Sequence, residues 1–108
     1  MKVSMDYDFT LTNPIFQELT KKFLALGADV HITTSRTNEL IRGKQPYDNR
    51  EVFGMAERLG IKQENITFTN YQDKYSFLKD FDLHFDDDEH ETILINEHPC
   101  KCIGVLIT

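Results

Sequence analysis

The segment MDYDFTLT, residues 5–12, places two aspartates directly after a short apolar stretch. The residues MKVSM, 1–5, have the pattern of a β-strand, and Asp6 and Asp8 follow at its end. Unpaired carboxylates are costly to bury, so a buried strand that leads into two of them needs positive charge nearby. The segment therefore predicts a strand that delivers acidic side chains to a polar site.

Strand-like and helix-like segments alternate along the rest of the chain. The first helix has Asn13 or Thr12 as its candidate cap and Pro14 at its first position. Gly27 ends its apolar periodicity. The further predicted strands are DVHITT (29–34), NITFT (65–69), LHF (83–85) and CIGVLIT (102–108), and the further predicted helices span 50–59, 73–81 and 90–98. The last helix is ambiguous, because an apolar trio inside it would also suit a strand.

Strands that alternate with helices form parallel sheets covered by those helices. The alternation predicts an α/β fold: a single Rossmann-like, three-layer domain, residues 1–108, with a central, mostly parallel five-stranded sheet. A cap domain would need an insertion after Asp8 or between Thr34 and Lys74. Few residues separate Asp8 from the first helix, and the loop at 36–49 is the only long connection between Thr34 and Lys74. No cap domain is therefore expected.

The acidic balance of the chain limits its partners. Its formal net charge is −6, whereas proteins that track a nucleic acid backbone present a basic face, so extended nucleic acid binding is not expected. Binding of one phosphate stays open, because a cation held by acidic residues attracts phosphate. The sequence has no apolar run of membrane-spanning length and no signal-peptide pattern near its start, so a cytoplasmic protein is expected.

Cys100 and Cys102 are the only cysteines. Their spacing is poor for a mutual disulfide, and a zinc site with His98 would lack the four ligands of most structural sites. Reduced thiols near the last strand are the expected state.

Polar side chains follow four of the predicted strands. In parallel sheets the carboxyl ends of the strands share one edge, where ligands bind. Taken alone, each group has an ordinary interpretation, such as a turn or a solvated loop. Together they predict a site, because carboxylates, a hydroxyl and a lysine suit Mg²⁺ with a phosphate. They are Asp6 and Asp8 at the end of the first strand, Thr33, Thr34, Ser35 and Arg36 at the end of the second, Lys74 after the third, and Asp86, Asp87 and Asp88 at the end of the fourth.

These segments resemble, in order, the four motifs of the haloacid-dehalogenase-like (HAD) superfamily. MDYDFTLT resembles the first motif, Asp-x-Asp-x-Thr/Val after a strand, and HITTSR (31–36) resembles the second, a strand that ends in Ser or Thr. Lys74 fits the third motif, and HFDDD (84–88) fits the fourth in its paired-aspartate form. Response-regulator receiver domains share such an acidic pocket, but their lysine comes last, whereas here it precedes the final acidic pair.

The resemblance implies a Mg²⁺-dependent phosphatase that works through an aspartyl-phosphate intermediate. Asp6 would be the nucleophile, and Asp8 would protonate the leaving oxygen and then deprotonate the attacking water. Thr34 would hydrogen-bond a phosphoryl oxygen, with Ser35 as the second choice. Lys74 would hold another phosphoryl oxygen and offset the charge around Asp6.

The resemblance also implies the metal ligands. Asp6 would bind Mg²⁺ through its carboxylate and Asp8 through its backbone carbonyl. Asp87 is the first choice for direct coordination from the fourth motif, while Asp86 could bind directly or through water. Asp88 is expected to be a bystander.

The loop at 36–49 is the expected place for substrate contacts. Arg36, Arg42 and Lys44 could grip the leaving group, and Tyr47 could stack on a base. A solvated charged loop is the other interpretation. The functional one predicts a phosphorylated small molecule, such as a nucleotide, or a phosphorylated nucleic acid end, by similarity to the phosphatase half of polynucleotide kinases and to small deoxynucleotidases.

The alternative is that this is a non-catalytic domain with a binding function. Such a domain would keep the pocket in order to bind a metal or a phosphorylated protein partner. The intact pair of Asp6 and Asp8 argues against it, because binding alone does not require the second aspartate.

Overall fold

Five strands and three α-helices make up most of the regular structure in the part of the chain that the structure describes. The computed structural model describes residues 1–38 and 48–107. The strands are β1 (Lys2–Met5), β2 (Asp29–Thr34), β3 (Ile66–Phe68), β4 (Leu83–Asp86) and β5 (Ile103–Leu106). The α-helices are α1 (Pro14–Ala25), α2 (Arg50–Leu59) and α3 (Glu89–Glu97).

The five described strands form one sheet in the order β3-β2-β1-β4-β5. This confirms the predicted α/β fold with a five-stranded sheet, and every pairing is parallel. The central strand β1 pairs with β2 on one side and with β4 on the other. The chain changes direction across the sheet between β1 and β4, which is where open parallel sheets bind ligands at their carboxyl ends. Residues that follow these two strands therefore lie at one crevice.

Apolar side chains hold β1 and β2 in the core. Val3 and Met5 of β1 and Val30 and Ile32 of β2 are at most 2% exposed. Complete burial of one such side chain contributes about 1.5–3 kcal/mol to folding. The parallel register places Val3 beside Val30 and Met5 beside Ile32. Because β1 is packed and paired on both sides, the residue that follows it has a well-defined position.

The ends of α1 follow the predicted signals. Asn13 Oδ1 accepts a 3.0 Å hydrogen bond from the backbone N–H of Ile15, and Pro14 is the first helical residue. Gly27 has a φ of 84°, the left-handed conformation in which glycine ends helices at little cost. No helix within residues 1–38 and 48–107 is long and apolar enough to cross a membrane.

The prediction of a helix at 73–81 is wrong. The segment 73–81 contains a single 3₁₀ turn, Lys74–Phe77, in place of an amphipathic helix. Leu78 and Phe81 are nevertheless buried, and the backbone N–H of each bonds to the carbonyl three residues before it. Consecutive tight turns thus bury these two apolar residues without a helix. The ambiguous segment at 90–98 belongs to α3 except for its last residue.

Candidate functional site

One buried lysine and two buried aspartates meet at the ends of β1 and β4. The Lys74 Nζ atom lies 2.7 Å from Asp6 Oδ1 and 2.7 Å from Asp86 Oδ2. Asp6, Lys74 and Asp86 are 4%, 2% and 1% exposed. Lys74 and the two aspartates offset one another's burial, because a buried charge without a partner of opposite sign costs about 3–5 kcal/mol. The structure thus brings together three of the side chains expected at the strand ends.

The turn after β1 orients the Asp6 carboxylate. Thr10 Oγ1 donates a 3.0 Å hydrogen bond to Asp6 Oδ2, and the Leu11 N–H donates a 3.2 Å bond to the Asp6 carbonyl. Phe9 reverses the chain between them with a φ of 62°. Asp6 therefore has one carboxylate oxygen held by Thr10 and the other by Lys74.

The pKa values of the two buried carboxyl groups move in opposite directions. Burial raises the pKa of Asp6 to about 8, an effect that Lys74 opposes and the charge of Asp86 reinforces. Burial also acts to raise the pKa of Asp86, but a hydrogen bond from His84 and the charge of Lys74 hold it at about 2. Burial disfavours the Lys74 ammonium, yet the two aspartates raise its pKa. The protein groups by themselves thus keep Lys74 and Asp86 charged and favour a proton on Asp6 at neutral pH.

A buried histidine bonds to the same oxygen of Asp86 as Lys74 does. His84 Nε2 lies 2.8 Å from Asp86 Oδ2, and His84 Nδ1 lies 2.8 Å from Ser4 Oγ. Ser4 Oγ also lies 2.7 Å from Thr33 Oγ1. His84 is 0% exposed, and burial lowers its pKa, so the neutral imidazole donates from Nε2 to the ionised Asp86. This network connects β1, β2 and β4 next to the site.

Sequence reasoning does not identify His84 and Ser4 as part of the site. One signal was available, since residues two apart on a strand share a face and His84 precedes Asp86 by two. The contact with Ser4 had no such signal. It depends on the register that places Ser4 beside His84 in neighbouring strands.

Three carboxylates lie close enough to share a cation. One oxygen from each of Asp6, Asp86 and Asp87 lies within 4.8 Å of the other two. Carboxylate oxygens are the hard donors that Mg²⁺ prefers, with water and phosphate oxygens in its remaining positions. The donor set therefore fits the expected cofactor. The side chain of Asp8 does not belong to this group.

Asp86 and Asp87 differ as candidate metal ligands. Asp86 is buried and bonded to Lys74 and His84, and its Oδ1 accepts a 3.0 Å hydrogen bond from the Asp88 N–H. Asp87 is exposed and lines the cleft. Asp88 caps α3, where its Oδ1 accepts a 2.9 Å bond from a backbone N–H. Asp87 thus stays the first choice for direct coordination, and Asp88 has a structural role.

Arg36 is engaged with Asp8. Its Nε and Nη2 donate to the two carboxylate oxygens of Asp8 at 2.9 and 2.7 Å. The same Nη2 pairs with Glu51 of α2, and the guanidinium carbon lies 5.0 Å from the centre of the Tyr7 ring. Arg36 is only 5% exposed. The side chain expected to bind substrate therefore holds the expected acid–base residue in place.

Of the two candidate hydroxyls at the end of β2, Ser35 is the one at the cleft. Ser35 is partly exposed and lines the cleft. Thr34 is fully buried, and its Oγ1 accepts a 3.3 Å hydrogen bond from the Arg36 N–H. The other expected substrate contacts lie outside the described residues: Arg42, Lys44 and Tyr47.

An open acidic cleft leads to these groups. Its volume is about 450 Å³, and of the ten described residues that line it seven are acidic, whereas one is a lysine. Sequence reasoning does not identify Glu89 and Glu91 at this edge. The signal was the acidic run 86–91, because a helix that begins directly after a strand carries its first side chains to the same edge. The cleft is lined by Asp6, Asp8, Phe9, Ser35, Lys74, Asp86, Asp87, Asp88, Glu89 and Glu91.

No model of a known protein family matches the sequence, and no curated protein sequence matches it. The likeness to the HAD motifs therefore rests on the motif residues themselves and on the positions that the fold gives them.

Proposed function

We propose that this protein is a Mg²⁺-dependent phosphatase of the HAD type that hydrolyses a phosphate monoester through an aspartyl-phosphate on Asp6. The contact of Asp6 with Lys74, beside carboxylates that suit a divalent cation, carries the proposal. A carboxylate can attack a phosphate dianion only where positive charge offsets their repulsion. Lys74 supplies one such charge, and Asp86 and Asp87 would help to hold the other.

Ionisation of Asp6 links the proposed cofactor to the chemistry. Burial raises the pKa of Asp6 to about 8, and only the carboxylate form attacks phosphorus. The charge of a bound Mg²⁺ would favour that form and offset the phosphate. Lys74 acts in the same direction from its contact with Asp6 Oδ1.

Asp6 carries out the covalent step and Asp8 carries out the proton transfers. Asp6 forms the new bond to phosphorus while the bond to the ester oxygen breaks. Asp8 gives a proton to that oxygen and later takes one from the water that hydrolyses the aspartyl-phosphate. Arg36 orients Asp8 through two hydrogen bonds. When Asp8 takes up a proton and this pairing weakens, Arg36 retains its contact with Glu51.

The phosphoryl oxygens need further hydrogen-bond donors. The Ser35 hydroxyl would serve this role together with the Lys74 ammonium, since both residues line the cleft. The cleft volume of about 450 Å³ is within the range of sites for small ligands. A phosphorylated small molecule such as a nucleotide, or the phosphorylated end of a nucleic acid, is the substrate class that we propose.

Turnover of p-nitrophenyl phosphate by the purified protein tests the proposal. We expect phosphate release with Mg²⁺, none with EDTA, and none in Asp6→Asn. Asp80→Asn is the matched control, because Asp80 is a well-exposed carboxylate that pairs with Lys2 at the start of β1. Trapping of phosphate on Asp6, detected by mass spectrometry of acid-quenched enzyme, would identify the intermediate.

Activity that survives in Asp6→Asn would contradict the proposed mechanism. If p-nitrophenyl phosphate, nucleotides and 3′-phosphorylated oligonucleotides were all inert while Mg²⁺ still bound, the phosphatase proposal would be wrong. A domain that binds metal or a phosphorylated partner would then be the better account.

A further inference from the structure

Phe9 is an exposed aromatic residue in the wall of the acidic cleft. The residue is 80% exposed, although phenylalanine is among the residues that folding most often buries. It lies between Asp8 and Thr10, in the turn that orients Asp6. Any molecule whose phosphate reaches Asp6 therefore passes close to this ring.

The backbone at Phe9 is also in an unfavourable conformation. Its φ of 62° lies in the left-handed region, which glycine adopts freely and a bulky side chain does not. The turn needs this conformation in order to bring Thr10 back to Asp6, but nothing in the turn requires an aromatic side chain. Strained residues in clefts commonly have a role in function, and here the strain and the exposed ring coincide in one residue.

The charge of the cleft restricts what else a substrate can carry. Asp88, Glu89 and Glu91 add acidic groups beyond those that surround Asp6. Among the lining residues within 1–38 and 48–107, Lys74 is the only cation, and it is already paired with two aspartates. One phosphate can be offset by Lys74 and a divalent cation, whereas a second would meet the acidic side chains of α3.

We propose that Phe9 determines substrate specificity by stacking on a flat aromatic group of a substrate that carries a single phosphate and no other negative charge. The inference rests on the proposed phosphatase function and narrows its substrate class. A nucleoside monophosphate has this chemistry, as does the phosphate ester of another aromatic alcohol. Polyphosphates and phosphorylated nucleic acid ends do not.

Two alkyl phosphates of similar leaving-group basicity isolate the stacking contribution: 2-phenylethyl phosphate and butyl phosphate. We expect the wild-type protein to have a kcat/KM at least about tenfold higher for the aromatic ester, in line with the strength of aromatic stacking. In Phe9→Gly that ratio should fall to near one, and in Phe9→Leu it should fall part of the way. Leu26→Ala, which changes an exposed apolar residue at the end of α1, should keep the wild-type ratio.

A thermal melt separates this role from a structural one. Because glycine relieves the left-handed strain, Phe9→Gly should melt at the wild-type temperature or higher while losing its preference for the aromatic ester. A lower melting temperature with an unchanged substrate ratio would show that Phe9 serves the fold, and would overturn the inference.

A second comparison tests the charge restriction. A nucleoside 5′-monophosphate should be hydrolysed with a kcat/KM at least about tenfold above that of the matching 3′,5′-bisphosphate, and Glu89→Gln should narrow the difference. Equal rates for the two nucleotides would overturn this part of the inference. If no ester is turned over with Mg²⁺, both the proposed phosphatase function and the inference about Phe9 fail. Turnover that depends on Asp6 but shows no aromatic preference overturns the inference alone.

Discussion

The Nζ atom of Lys74 lies 2.7 Å from Asp6 Oδ1, although the two residues are 68 positions apart in the chain. The same atom bonds to Asp86, so a single cation joins the ends of β1 and β4. All three side chains are buried, which makes them interdependent for both stability and chemistry.

Lys74→Met should destabilise the protein strongly at neutral pH, by about 3–5 kcal/mol, because it leaves two carboxyl groups buried without their cation. Urea unfolding at pH 7 measures the free energy of unfolding. Lys2→Met is the matched control, since Lys2 pairs with the exposed Asp80, and its loss should cost at most about 1 kcal/mol. Equal effects of the two substitutions would show that the buried cluster does not depend on Lys74.

The stability of the metal-free protein should fall as the pH rises from about 6.5 to 8, above the range in which His84, whose pKa burial lowers, has the opposite effect. The pKa of Asp6 is raised from 3.8 to about 8 in the folded protein, so in this range the folded state keeps a proton that the unfolded chain releases. Urea unfolding in EDTA at several pH values measures the slope. Asp6→Asn should flatten it, and so should Mg²⁺, because the cation binds the ionised form. A slope that is the same in Asp6→Asn would show that another group causes it.

His84→Gln should weaken Mg²⁺ binding by about 10- to 100-fold, because the imidazole fixes the orientation of Asp86 and partners of this kind affect metal affinity on that scale. Calorimetric titration with Mg²⁺ measures the effect directly. His90→Gln changes an exposed histidine of α3 and should leave the affinity unaltered. Wild-type affinity in folded His84→Gln would mean that Lys74 and the Asp88 N–H suffice to position Asp86.

Ser35→Ala should lower kcat/KM by about tenfold or more without loss of stability, because it removes a hydrogen bond to a charged phosphate from the cleft. Thr34→Val should instead lower the free energy of unfolding by about 1 kcal/mol, since the buried Thr34 hydroxyl accepts the Arg36 N–H. Steady-state kinetics and urea unfolding of both variants distinguish the two roles. The reverse pattern would support Thr34 as the phosphate ligand, as the HAD resemblance implies.

Signals between near neighbours in the chain predict much of the fold. The cap at Asn13, the proline after it and the glycine at 27 mark the limits of α1, because each acts on backbone groups within a few residues. The same reasoning fails for 73–81. Its apolar spacing is compatible with a helix, but packing of Leu78 and Phe81 in successive tight turns buries the same side chains.

The sequence by itself determined the succession of strands, the three α-helices, and the acidic, hydroxyl and lysine residues at the strand ends, because these features depend on residues close together in the chain. Only the tertiary structure decided which of those groups meet. Arg36 binds Asp8 across 28 positions, and Lys74 joins Asp6 and Asp86. Ser4 meets His84 through the pairing of β1 with β4. Such contacts follow from strand order and register, which place distant residues side by side and which no local pattern specifies.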